Sequence, residues 1–140
     1  MSQLSEMLLR HEGFMARPYR CTEGKLTVGI GRNLDEVGLS KPEALFLLDN
    51  DIIRLRKFLS KFPWFNDLNP ARQDALIDMA FMGEGNFQEF HLMLRALENG
   101  RYEVAAMQML ASKWATQVGK RSTELAQMMR EGRYVYPRAV

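Results

Sequence analysis

Three side chains near the start of the chain could perform acid–base chemistry if they lay together. They are the carboxyl group of Glu12, the thiol of Cys21 and the hydroxyl of Thr27. Apolar residues recur at helical spacing before Glu12, and Gly13 is expected to end that helix in a left-handed conformation. The partial negative charge at a helix C-terminus helps to hold a proton on the carboxyl group, which suits a general acid.

The segment 17–31 predicts a β-hairpin around a turn signal at 22–24. A three-residue loop pairs Cys21 with Lys25 and aligns Cys21 with Thr27, whereas a two-residue loop turns them to opposite faces. The glycine at the end of the turn favours the three-residue loop, because the last loop position requires a left-handed backbone.

Each of the three residues also has an ordinary structural interpretation. Glu12 is then a solvated carboxylate at a helix end, Cys21 a small buried strand residue and Thr27 a β-branched strand residue. Taken one at a time, these interpretations are the more common ones. Only the combined spacing favours a catalytic function.

That spacing resembles the catalytic core of the phage lysozyme (endolysin) family, glycoside hydrolase family 24. Eight residues separate Glu12 from Cys21, and five separate Cys21 from Thr27. The three residues stand in the segments RHEGF and YRCTEGKLTVGIGRNL. The segments FMGEG, LENGRYEVAA, SKWATQVGKR and MMREGRY resemble the helical lobe of T-even phage lysozymes in order and approximate spacing. The resemblance therefore covers nearly the whole chain.

The resemblance implies an enzyme that hydrolyses the β-1,4 bond between N-acetylmuramic acid and N-acetylglucosamine in bacterial peptidoglycan. By resemblance, Glu12 is the general acid that protonates the glycosidic oxygen. Cys21 and Thr27 position or activate water on the other face of the sugar, with inversion at the anomeric carbon.

Cys21 occupies the position at which T-even members have aspartate, although the family pattern accepts either residue. A free thiol has a pKa near ~8.5, so a charged sulfur at neutral pH requires local lowering of that pKa, for which Arg20 or Lys25 are candidates. Three functions stay open for Cys21: a thiolate that polarises water, a nucleophile that gives a retained anomer, or a neutral thiol that shapes the site. We favour the first.

Four further residues fall at family positions by the same resemblance. Phe81, Gln108 and Gln117 would line the saccharide cleft, and Arg121 would support the site by pairing with Glu12. Their ordinary alternatives are a core aromatic, helix-surface amides and a surface cation.

The remaining elements predict an α+β, mainly helical chain. A capping box at Ser40 and Glu43 predicts the start of a long helix, and Pro63 predicts its end. A further helix is expected from Asn69-Pro70 up to the glycines at 83 and 85. Three more are expected over 87–98, 105–114 and 120–130. The resemblance implies a single lysozyme domain with a saccharide cleft. Its predicted parts are a small hairpin lobe (13–40), a connecting helix (41–62) and a helical lobe (63–140) packed with the N-terminal helix.

Composition limits the other possibilities. The 140 residues are 46% hydrophobic and 26% charged, which is typical of one globular domain. A single cysteine excludes an internal disulfide, and the two histidines give no zinc-ligand spacing, so no metal or cofactor is expected. The formal charge of +2 gives weak support to a rival interpretation as a nucleic-acid or membrane-binding module, and we expect a monomer.

The N-terminal sequence shows no signal-peptide pattern, and no stretch reaches the roughly 18 apolar residues of a membrane helix. We therefore expect an enzyme made in the host bacterial cytoplasm that reaches the wall through a separate membrane lesion such as a holin pore. The main alternative is a catalytically disabled protein that binds cell-wall glycans, with hydrolysis lost through Cys21.

Overall fold

The computed structural model describes residues 1–135, and residues 136–140 of the predicted helical lobe lie outside that range. The described residues form eight α-helices, one 3-10 helix and three short strands, which confirms the mainly helical α+β class. The chain divides into two compact units, Met1–Leu48 and Asp49–Val140. The finer division into a hairpin lobe, a connecting helix and a helical lobe stays a prediction.

Helix α1 (Gln3–Glu12) opens the first unit. The Ser2 hydroxyl caps it by accepting a hydrogen bond from the backbone N–H of Ser5 at 3.0 Å. Gly13 ends the helix with φ 72° and ψ −178°. The positive φ requires glycine as expected, but the extended ψ differs from the left-handed helical conformation that we predicted.

A three-stranded antiparallel sheet follows, in the order β1 (Met15–Arg20), β2 (Leu26–Gly29) and β3 (Arg32–Asn33). Strand β3 was not predicted. Between the pairs Met15–Gly29 and Tyr19–Thr27, β1 contains two more residues than β2, so β1 bulges there. Pro18 lies in this bulge. Because residues there do not pair with β2, its missing N–H costs the sheet no hydrogen bond.

Helix α2 (Lys41–Leu59) begins at the predicted capping box, which the structure confirms. The Ser40 N–H donates to Glu43 at 2.9 Å, and the Glu43 N–H donates to the Ser40 hydroxyl at 3.2 Å. The helix ends four residues before Pro63, and a 3-10 helix (Phe65–Asp67) follows.

The second unit is helical, as predicted, but its helix boundaries differ in three places. The predicted helix 87–98 is interrupted, because one helix ends at Gln88 and the next begins at His91. Gly85 lies inside a short helix instead of ending one. The predicted helix 105–114 is divided into two helices. The second begins after Ser112, whose hydroxyl caps it by accepting a hydrogen bond from the Ala115 N–H at 3.2 Å. The helices are α3 (Pro70–Ala80), α4 (Glu84–Gln88), α5 (His91–Glu98), α6 (Tyr102–Leu110), α7 (Lys113–Val118) and α8 (Lys120–Glu131).

The hydrophobic core lies in the second unit. Phe87 is fully buried among aromatic neighbours and meets Phe58 edge to face at 6.0 Å between ring centroids. Five methionines fill this core, namely Met79, Met93, Met109, Met128 and Met129, whereas Met107 of α6 is exposed. No helix among residues 1–135 is long and apolar enough to cross a membrane.

Candidate active site

Glu12 is the last residue of α1, so the predicted position at a helix C-terminus is confirmed. Its side chain is exposed and its carboxyl group lies against Gly31, in the turn between β2 and β3. A Cβ atom on Gly31 would stand 2.8 Å from Glu12 Oε2. The end of the first helix and the sheet thus meet at this carboxyl group.

The hairpin has the predicted three-residue loop. Tyr19 pairs with Thr27, and the Cys21 N–H donates to the Lys25 carbonyl at 2.9 Å. Gly24 closes the loop with φ 77°, and its N–H donates to the Cys21 carbonyl at 2.8 Å. This register aligns Cys21 with Thr27 along one edge of the site.

Thr27 is held at the centre of the sheet. It pairs with Tyr19 on β1 and with Asn33 on β3. With 4% of its surface exposed, it is the only buried residue of the unit Met1–Leu48. Its hydroxyl donates to the Lys25 carbonyl at 3.0 Å, and it is one of the groups that lower the pKa of the Cys21 thiol.

The thiol of Cys21 has a pKa below the ordinary thiol value. The backbone N–H of Lys25 is the main cause, the backbone N–H of Glu23 and the Thr27 hydroxyl add to it, and partial desolvation and the Glu23 charge oppose it. The sequence suggested the charges of Arg20 and Lys25 as the cause of this lowered pKa. Instead, the two side chains pair with the carboxylates of Asp35 and Glu36. Backbone donors at the hairpin loop are therefore what favours the thiolate.

Two acidic residues after β3, Asp35 and Glu36, contact the hairpin. Asp35 accepts the Leu26 N–H at 2.7 Å and pairs with Arg20 at 3.6 Å, while Glu36 pairs with Lys25 at 3.6 Å. Sequence reasoning missed Asp35. Its only signal was an Asp-Glu pair between the predicted hairpin and the predicted capping box, and that pair did not indicate which cations would be its partners.

An ion pair ties the third strand to the start of α2. The Arg32 guanidinium pairs with the Glu43 carboxylate and also donates to the Gly38 carbonyl at 3.3 Å. Hydrogen bonds from the N–H and hydroxyl of Ser40, followed by the Arg32 charge, lower the pKa of Glu43. These contacts fix the residue that directly follows Gly31.

Two of the predicted saccharide contacts share a pocket in the second unit. Gln108 of α6 and Gln117 of α7 line a pocket of about 720 Å³ together with Trp114 and His91. Phe81, directly after α3, is 43% exposed and does not line this pocket. The structure therefore brings the two amides to one surface and leaves Phe81 outside it.

Arg121 lies in the first turn of α8 and has a carboxylate partner in its own unit. Its Nε donates to Asp78 Oδ1 at 2.7 Å and its Nη2 to the Asp78 carbonyl at 2.9 Å. The expected pairing of Arg121 with Glu12 joins residues of different units and stays a prediction. Among residues 1–135, no group of three or more His, Cys, Asp or Glu side chains is arranged to hold a metal ion.

A mainly helical α+β chain whose first helix ends in a glutamic acid, next to a hairpin that aligns a thiol with a hydroxyl, is of the lysozyme class of glycoside hydrolases. The chain belongs to the phage lysozyme family, whose sequence model matches residues 9–131. The predicted family, lysozyme-like fold class and enzyme class are thereby confirmed.

Curated relatives agree with this assignment. The chain is 29% identical to probable T4-type lysozyme 2 of Dictyostelium discoideum and 27% identical to probable T4-type lysozyme 1 of the same organism, in each case over 94% of this chain and 96% of the relative. It is also 29% identical to the pre-baseplate central spike protein Gp5 of Enterobacteria phage T4, over 92% of this chain and 28% of that protein.

Proposed function

We propose that this lysozyme is an N-acetylmuramidase that hydrolyses the β-1,4 bond between N-acetylmuramic acid and N-acetylglucosamine in peptidoglycan. The observation that carries the proposal is the hairpin register, which aligns Cys21 with Thr27 within the same unit as Glu12. An acid and a water-binding pair are the two components that an inverting glycosidase needs.

In the proposed reaction, Glu12 donates its proton to the glycosidic oxygen. The bond between that oxygen and the anomeric carbon breaks, and positive charge develops on the sugar ring. The exposed end of α1 gives solvent and substrate access to the carboxyl group, while Gly31 limits its positions on one side.

Water then attacks the anomeric carbon from the opposite face. The Thr27 hydroxyl, whose own proton is donated to the Lys25 carbonyl, accepts a hydrogen bond from this water, and the Cys21 thiolate accepts the proton that the water loses. The products are a free reducing end, a neutral thiol and the Glu12 carboxylate. One proton returns from Cys21 through solvent to Glu12, so one water is consumed in each cycle.

The residues of the second unit have supporting functions in this proposal. Gln108 and Gln117 bind the glycan or its attached peptide, since amide groups on a pocket wall both donate and accept hydrogen bonds. Phe81 offers an exposed ring that can pack against a sugar face. Arg121 orients the site as a supporting cation.

The proposal extends to the biological setting. The protein acts as a monomeric endolysin, made in the cytoplasm of a host bacterium, and lyses that host after a holin-type lesion opens a path to the wall. Membership of the phage lysozyme family supports this setting. Expression with and without a holin, followed by optical density, tests it, and lysis by the protein alone would contradict the holin requirement.

The bond specificity is tested by identifying the new chain ends. Purified peptidoglycan is digested, the products are reduced with borohydride, and the terminal sugars are identified by mass spectrometry. A muramidase leaves reduced N-acetylmuramic acid at the ends. Reduced N-acetylglucosamine or 1,6-anhydro ends would contradict the proposal, and sedimentation with peptidoglycan without any new ends would favour the glycan-binding alternative.

A further inference from the structure

Two glycines flank the turn between β2 and β3, and their surroundings differ sharply. Gly29 has φ 70° and Gly31 has φ 69°, so both adopt a backbone that favours glycine. A Cβ on Gly29 would meet nothing within 4 Å. A Cβ on Gly31 would lie 2.8 Å from Oε2, 2.9 Å from Cδ and 3.1 Å from Cγ of Glu12.

At these distances, a methyl group on residue 31 would overlap the Glu12 side chain unless one of the two moved. Non-bonded carbon atoms are most stable about 3.5–4.0 Å apart, so the two groups would have to separate by several tenths of an ångström. The Glu12 side chain is exposed and can rotate, whereas Gly31 is joined to β3 and its Arg32–Glu43 ion pair. The Glu12 carboxyl group would therefore be the part that moves.

We propose that Gly31 is a positioning residue for the reaction: because it has no side chain, it leaves open the space that the Glu12 carboxyl group occupies. This inference rests on the proposed function of Glu12 as the acid. Misplacing a catalytic group by about 1 Å can cost on the order of 100-fold in rate. Glycine at position 31 thus serves both the turn and the placement of the proton donor.

The test compares Gly31→Ala with Gly29→Ala. Both substitutions place alanine at nearly the same positive φ, so both should lower the Tm by a similar amount. Only Gly31→Ala should lower kcat on solubilised peptidoglycan strands, by tenfold or more, with KM changed less than twofold. Equal kcat losses in the two variants would overturn the proposal.

A spectroscopic measurement tests the placement without activity. In ¹³C–¹H correlation spectra, the Glu12 methylene signals should shift in Gly31→Ala and stay in place in Gly29→Ala. Unmoved Glu12 signals in Gly31→Ala would contradict the proposed contact. If Glu12→Gln were fully active, the assignment of Glu12 as the acid would fail, while these spectra would still decide where the side chain lies.

A double variant covers the case in which Gly31→Ala alone does not fold. Glu12→Ala removes all three atoms that the new methyl group would meet. In that background, Gly31→Ala should fold and should lower the Tm by no more than Gly29→Ala does. A larger loss of Tm in the double variant would show that groups other than Glu12 make position 31 require glycine.

Discussion

The Thr27 hydroxyl and the Cys21 N–H both donate to the Lys25 carbonyl, at 3.0 Å and 2.9 Å. Thr27 is buried and fixed by strands on both sides, while Cys21 is partly exposed at the hairpin loop. The pair therefore joins a rigid hydroxyl to an accessible sulfur. This relationship makes Cys21 the residue whose substitution says most about the mechanism.

Cys21→Asp should retain or raise hydrolytic activity. A carboxylate at this position carries the negative charge that the thiolate would supply, and the backbone N–H groups of Lys25 and Glu23 that favour the thiolate also favour a carboxylate. Initial rates of reducing-end release measure the effect.

The matched control is Cys21→Ala, which removes the charge and should lower the rate at least about 100-fold, the lower end of the range for general acid–base catalysis. A folded Cys21→Asp protein with no activity would contradict the water-positioning function. Full activity in Cys21→Ala would contradict any chemical function of the sulfur.

The pKa of Cys21 should be measurable by alkylation. Because the folded pKa lies below that of the unfolded chain, the thiolate's contribution to stability is present above the unfolded pKa and is lost as the pH falls through the folded pKa. The rate of reaction with iodoacetamide should accordingly reach half its maximum at lower pH in the folded protein than in urea.

Thr27→Val removes a hydroxyl that helps to lower the Cys21 pKa and should move that midpoint toward higher pH. Thr22→Val, an exposed threonine in the hairpin loop, is the matched control and should leave the midpoint unchanged. The same midpoint in Thr27→Val and the native protein would show that the hydroxyl does not stabilise the thiolate.

The pairing of Arg121 with Asp78 should contribute little to stability. Both side chains are about half exposed, and exposed ion pairs are typically worth roughly 0.2–1 kcal/mol. A double-mutant cycle with Arg121→Gln and Asp78→Asn, followed by urea unfolding, should give a coupling free energy in that range. A coupling free energy of zero would show that the ion pair does not stabilise the fold. Lys120→Gln is the control for the loss of one positive charge.

Phe87→Ala should be strongly destabilising, by about 3–5 kcal/mol, because it empties a fully buried aromatic site. Phe81→Ala makes the same change at a 43% exposed position and should cost well under that amount. The free energy of unfolding in urea measures both. Similar losses in the two variants would contradict the assignment of the core.

The hairpin register could be predicted because its signal is local. Gly24 selects the loop length, and a period of two then determines which residues align. The C-terminal end of α1 and the start of α2 were also predictable, since these signals depend on residues only a few positions apart.

Other features depend on contacts between distant parts of the chain. The approach of Glu12 to Gly31 joins a helix end to a turn 19 residues later, and no local pattern encodes that meeting. The two-residue strand β3 is too short for a periodic signal, and the Asp78 partner of Arg121 lies 43 positions away. Sequence reasoning identified these residue types without identifying their partners.

The most direct test of the central claim compares the native protein with Glu12→Gln on purified peptidoglycan, with circular dichroism to verify folding. The substitution removes the acid and nearly preserves the shape of the side chain. The account predicts steady release of reducing ends by the native protein and a loss of at least 100-fold in a folded Glu12→Gln variant. Equal release by the two proteins would contradict the assignment of Glu12 as the proton donor.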